Sequence, residues 1–269
     1  MDDRMNSYSE FRTHFREDVL GQVPHQNVRG QLALLQPEDD RHLYAEAFRN
    51  LRSSILFKQW KGDPPRAILF TSAVPDEGKT TTAGNLAITM ALAGARVLLV
   101  DADLRRGAMH DLLGQDGMPG FGEILSEQVD WHKTVRRTHI PNLSFIPKGE
   151  PLAQTSEYFL SDAAPRFLEE VKAEFDYIIM DSAPVLVADD TASFAPKVDT
   201  VLFVVRMSST NARLVARALD NLYGRQINVG GVILNRSSTS LKEYSYYNYA
   251  NYYYYRTPAA ATAGTDSKA

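Results

Sequence analysis

Chemistry in this chain begins with Lys79 and Thr80, which end an A-x-x-x-x-G-K-T run from Ala73 to Thr80. A lysine and a hydroxyl residue behind a glycine form the pattern of a phosphate-binding loop. Gly78 lets the backbone approach an anion, the Lys79 ammonium reaches β- and γ-phosphates, and the Thr80 hydroxyl can ligate Mg²⁺. Asp76, Glu77, Gly78, Lys79, Thr80 and Thr81 are therefore the expected nucleotide contacts. Ala73 stands where the usual motif has its first glycine. Two further acidic positions follow, Asp101 with Asp103 in DADLRR and Asp181 in IIMDSAP. Oxygen ligands of this kind suit a Mg²⁺ shell on Thr80, Asp101 and Asp181. The plainer reading of Asp101 and Asp103 is a polar exit from a strand, and a G-K-T also occurs in ordinary strand-to-helix turns.

What must position these residues is legible as alternating strands and helices. Ile68-Leu69-Phe70 reads as a buried strand before the loop, and residues 80–93 as a helix of small residues ending at Gly94. Continuously apolar runs at 96–100, 143–147, 176–181, 200–205 and 229–235 predict further buried strands. Helices are expected to about Glu174 and over 209–223. Such alternation predicts a three-layer α/β fold, a mainly parallel sheet with right-handed crossovers and helices on both faces. Ligands then bind at the carboxyl ends of the strands, where Asp101 and Asp181 fall.

Upstream, a helix over about 41–58 carries Leu43, Ala47, Leu51 and Ile55 on one stripe and Glu46, Arg49 and Arg52 on another. By spacing alone that E-x-x-R-x-x-R face is a solvated surface with an internal ion pair. Pro37-Glu38-Asp39-Asp40 reads as the helix start, with acids in the first turn. Residues 1–36 read as a linker or loosely packed arm, with Val19–Pro24 extended. Lys133, Arg136 and Arg137 suggest a basic local surface, and Asp189 and Asp190 a helix cap. After Arg236 the composition changes, and eight of the thirteen tyrosines crowd between Tyr244 and Tyr255. This is no core strand, and Thr257 to Ala269 reads as disordered.

Composition sets limits. The 269 residues hold no cysteine, which removes disulfides, thiol nucleophiles and Cys-ligated metal or iron–sulfur sites. A net charge of −4 offers no general basic surface, so no nucleic-acid partner is expected. No apolar run approaches the ~18 residues of a membrane helix, and the N-terminus does not read as a signal peptide, so the chain is expected to be soluble.

Together these features resemble the bacterial tyrosine kinases of polysaccharide export, within the deviant-Walker group of phosphate-loop NTPases. Ala73 to Thr80 resembles Walker A, Val97 to Arg105 the extra Walker A′ motif, and Ile178 to Asp181 Walker B. Glu46, Arg49 and Arg52 resemble the family's oligomerisation helix, and the tail its tyrosine cluster. Septum-placing and partition ATPases of the same group carry a Lys where Val74 stands here. A positioning ATPase without kinase activity is the alternative, and a non-catalytic regulatory module a more distant one.

The resemblance implies three segments: a juxtamembrane-type linker at 1–36, a kinase domain at 37–236 and a flexible tyrosine tail at 237–269. It implies ATP and Mg²⁺ as cofactors, with Lys79, Asp101, Asp103 and Asp181 catalytic and Asn235 at the position that touches adenine. Either Asp101 or Asp103 would accept the tyrosine proton. The acceptors would be Tyr244, Tyr246, Tyr247, Tyr249, Tyr252, Tyr253, Tyr254 and Tyr255 of a neighbouring subunit in an octameric ring. Arg49, Arg52, Arg105 and Arg106 would anchor that tail or the neighbour. A transmembrane polysaccharide co-polymerase activator, fused or separate, and a cognate tyrosine phosphatase would be partners at the cytoplasmic face of the inner membrane.

Overall fold

A computed structural model describes residues 3–26, 33–151 and 155–237. The tyrosine cluster and most of the tail segment lie outside the described residues. Among the described residues eight strands form one sheet, in the order β1-β8-β7-β2-β6-β3-β5-β4. They are β1 (Val19–Pro24), β2 (Ala67–Ser72), β3 (Val97–Asp101), β4 (Arg136–Arg137), β5 (Leu143–Ile146), β6 (Tyr177–Asp181), β7 (Thr200–Arg206) and β8 (Val229–Ser237). All pairings are parallel except β4 with β5.

Alternation along these strands explains the layers. Leu69, Leu98, Ile178, Met180, Phe203 and Val205 point to one apolar cluster, which Phe121, Phe159, Phe167 and Phe194 help to fill. Their neighbours Ile68, Phe70, Leu99, Ile179, Leu202 and Val204 point to the other. There α2 (His42–Phe57) and α3 (Lys79–Leu92) cover the sheet, with Phe48, Leu51, Ile55 and Leu86 inside. Each fully buried Phe or Leu contributes about 1.5–3 kcal/mol. On the first face lie α5 (Phe121–Leu125), α6 (Thr155–Leu160), α7 (Ala163–Glu174), α8 (Asp190–Phe194) and α9 (Ala212–Gly224). Two further short helices are α1 (Tyr8–His14) and α4 (Met109–Leu113).

The described part of segment 1–36 is not a loose arm. Met5, Phe11, Phe15, Leu20 and Val23 are buried, and β1 is an edge strand of the main sheet beside β8. Ser7 caps α1 by accepting from the Glu10 N–H. Farther back, the Ser208 and Ala212 N–H groups donate to the Met5 and Asp3 carbonyls. Val19–Pro24 is extended as expected, but short apolar residues scattered among charges carry no strong period, so only the tertiary contacts place this segment in the sheet.

Two helix starts differ from the expectation. α2 begins at His42 with no acid in its first turn. Asp39 instead accepts from Arg41, at 2.7 Å to Nε, and from the Gln36 and Arg41 N–H groups. Asp189 does not cap α8 with its side chain; it accepts from the Ser193 hydroxyl and from Arg225. Among the basic residues at 131–137, Arg136 donates to backbone carbonyls of Met118 and Pro119, so it fastens a loop.

Candidate functional site

Strand order brings the chemistry together. β6 lies between β2 and β3, with Phe70 paired to Asp181 and Asp101 paired to Asp181. The loop after β2, the acids ending β3 and the acid ending β6 therefore meet at one edge. Residues 73–78 turn the chain into α3. Gly78 has φ 85°, a conformation glycine adopts without cost, and its carbonyl accepts from the Thr81 and Thr82 hydroxyls. An open pocket of about 590 Å³ sits above, lined by Asp76, Gly78, Lys79, Thr80, Thr81, Asp103, Arg105, Arg106, Arg206 and Arg236, among others. That volume suits a nucleotide-sized ligand.

Lys79 is the cation of the pocket floor. Its Nζ lies 3.3 Å from Asp103 Oδ2, 3.7 Å from Asp181 Oδ1 and 3.4 Å from Thr80 Oγ1. Burial alone would lower its pKa, but Asp181 and Asp103 more than offset that and raise it. The ammonium therefore stays charged.

Asp101 is fully buried, accepting from the Met109 N–H at 3.1 Å and the Asp103 N–H at 3.3 Å. Burial, with the neighbouring Asp181 charge, pushes its carboxyl up to about 8. A Cβ on Gly107 would come within 2.2 Å of Asp101 Oδ1, so glycine is required where that loop crosses the carboxylate. Asp103 faces the pocket instead and accepts from the Arg106 N–H.

Asp181 is 0% exposed, and no donor reaches either carboxylate oxygen with hydrogen-bond geometry. Burial raises its pKa, while Lys79 and Thr80 oppose the rise. A buried carboxylate without donors is costly unless a cation completes it. The Thr80 hydroxyl and this carboxylate fit a hard divalent ion. Among the described residues no three His, Cys, Asp or Glu side chains form a ready-made metal cage. Mg²⁺ beside phosphates needs only one or two protein oxygens.

Several expected contacts are placed differently. The Glu77 side chain is 1% exposed and turns under the loop, away from the pocket. Asn235 donates from Nδ2 to the Glu77 carbonyl at 2.8 Å, and its Oδ1 accepts from the Arg236 N–H. Its amide therefore buttresses the loop. Arg105 is forked onto buried Asp190, whose carboxylate also accepts from Ser156. Glu46 and Arg49 form an exposed ion pair at 3.0 Å, and Arg52 donates to the Thr89 carbonyl of α3. Thr210 and Arg206 carry no local signal in the sequence, and Asp190 signals only a helix start.

Fold and loop define a chain of the phosphate-loop NTPase fold. Residues 74–214 match the family described as AAA domain. The tyrosine-protein kinase wzc of Salmonella typhimurium is 31% identical over 221 residues, 81% of this chain and 30% of that protein. The solved kinase domain of Escherichia coli tyrosine kinase ETK superposes with a TM-score of 0.73 at 27% identity, covering 83% of this chain and 93% of that one. A septum site-determining protein from Pyrococcus horikoshii, solved with Mg-ADP, shares the fold at a TM-score of 0.54 and 22% identity, over 66% of this chain and 72% of that one. The chain belongs to the AAA domain family and is similar to bacterial tyrosine-kinase domains. It spans about a third of the length of the curated relatives it matches.

Proposed function

We propose that this chain is a protein-tyrosine autokinase domain that transfers the γ-phosphoryl group of ATP to tyrosine. The observation that carries the reading is the donor-free Asp181 carboxylate beside Lys79 and Thr80, at the mouth of a phosphate loop, in a chain whose relatives are tyrosine kinases. Lys79 and the loop amides hold the β- and γ-phosphates. Thr80 and Asp181, with Asp101 beside them, would hold Mg²⁺, which would supply charge neutralisation on the phosphate oxygens. A tyrosine oxygen attacks the γ-phosphorus, the bond to the β,γ-bridging oxygen breaks, and ADP leaves.

The tyrosine proton goes to a carboxylate. Asp103 is better placed than Asp101, because it lines the pocket while Asp101 is sealed beneath and already engaged. Free tyrosine has a pKa near ~10, so proton transfer comes late, as the bond to phosphorus forms.

The acceptor is the tyrosine tail of a neighbouring subunit in a ring built on the Glu46, Arg49 and Arg52 helix. Each phosphate adds about −1.5 to −2 charges, so successive modification loosens the tail from its neighbour. In the whole protein this cycle regulates polysaccharide synthesis and export, with a membrane co-polymerase activator and a phosphatase to reset it. The test is phosphosite mapping of wild type beside Lys79→Met after incubation with ATP and Mg²⁺. Tyrosine phosphate on the wild-type tail and none on the variant is expected; an equal signal in both rejects the assignment.

A further inference from the structure

We propose that Glu77 is a positioning residue that braces the phosphate loop in its anion-binding shape before any nucleotide arrives. This deepens the reading of the pocket as a nucleotide site and does not depend on tyrosine being the acceptor. A carboxylate inside an anion-binding loop ought to repel phosphate. This one is turned under the loop, where its charge is absorbed by donors. Oε1 accepts from the Thr210 hydroxyl at 2.7 Å and the Arg206 N–H at 3.3 Å, and Oε2 from the Val74 N–H at 3.0 Å.

These bonds join three parts of the chain. Val74 begins the loop, Arg206 ends β7, and Thr210, itself buried, lies in the turn before α9. Two further ties hold the loop backbone: Arg206 Nη1 to the Asp76 carbonyl, and Asn235 to the Glu77 carbonyl. The loop needs such restraint. Asp76 has φ 64°, and left-handed non-glycine residues persist when their surroundings hold them. With Glu77 fixed, the loop N–H groups are already aimed at the phosphates, and less ordering remains to oppose binding.

Burial pushes the Glu77 carboxyl up, while hydrogen bonds from Thr210, Val74 and Arg206 pull it down. The geometry therefore assigns Thr210 as the donor that keeps the brace closed, although it lines no part of the pocket.

The experiment uses the full chain with Thr210→Val, Thr210→Ser and Glu77→Gln. Mg·ADP affinity is measured by calorimetry, the KM for ATP by kinetics, and Val74 amide exchange in nucleotide-free protein by NMR. Removing the Thr210 hydroxyl is expected to weaken Mg·ADP about tenfold, raise the KM for ATP alike and speed Val74 exchange. Serine, which keeps the hydroxyl, restores all three, and Glu77→Gln, which sets an amide donor against the donors around it, resembles Thr210→Val. A folded Thr210→Val protein with wild-type affinity and exchange overturns the brace, as does a serine variant no better than valine. Failure of the nucleotide reading looks different: wild type binds no Mg·ADP, while Val74 stays protected and Thr210→Val still releases it, which upholds the brace alone.

Discussion

Two buried carboxylates flank one loop, and they are treated in opposite ways. Glu77 lies under the loop and is met by the Thr210 hydroxyl and two backbone N–H groups. Asp181 lies at the end of β6, equally buried, and no hydrogen-bond donor meets it. A satisfied buried acid stabilises the fold it is part of. An unsatisfied one leaves charge in a low-dielectric place and marks where a ligand completes the structure. Sequence alone had set both acids in one nucleotide site; their surroundings separate a strut from a socket.

The comparison can be broken most sharply at Lys79, the cation nearest the socket. Lys79→Met is expected to lower tyrosine phosphorylation by at least ~10³-fold, read by anti-phosphotyrosine blotting and single-turnover kinetics. Next come opposed changes in stability. Asp181→Asn removes a buried carboxylate that no hydrogen bond satisfies and leaves Lys79 its Asp103 partner at 3.3 Å, so the nucleotide-free protein should melt higher although phosphotransfer is lost. Glu77→Ala strands three donors and should cost about 2–3 kcal/mol, lowering the melting temperature. Equal shifts of one sign in differential scanning calorimetry would erase the distinction.

A smaller effect concerns Asp101, whose carboxyl is pushed up to about 8 by burial and Asp181. The folded protein then binds this proton more tightly than the unfolded chain, so this group's penalty grows as pH rises from about 4 to about 8. In Mg²⁺-free buffer, the slope of urea stability against pH over that window should flatten in Asp101→Asn. The smallest effect lies far from the pocket. Hydrogen bonding to Arg41 lowers the Asp39 carboxyl to about 2, so its contribution is present above pH 4 and is lost as pH falls toward 2. Asp39→Asn should cost about 1 kcal/mol at pH 7 after solvent screening, measured by urea unfolding, with a cost that shrinks as pH falls through 2.

How much could be read in advance varied with how local each cause is. The Ala73–Thr80 loop, the apolar runs ending in Asp101 and Asp181, and the strand–helix alternation were legible, because backbone period and turn chemistry are written in neighbouring residues. The inward turn of Glu77 was not, since its partner Thr210 is 133 residues away. Nor was the Arg105 fork onto Asp190, which spans 85 residues. β1 was legible only as an extended segment, because an edge strand of mixed composition takes its place in the sheet from β8 and α2 rather than from its own pattern.

The amino-acid order by itself determined that this chain carries a phosphate loop, two strand-end acids and an alternating α/β pattern. Local sterics and hydrophobic period are enough to specify such features. Only the tertiary structure decided which carboxylates face the pocket and which support it. Burial and hydrogen-bond satisfaction belong to the neighbours that folding brings together, and a residue's type does not contain them.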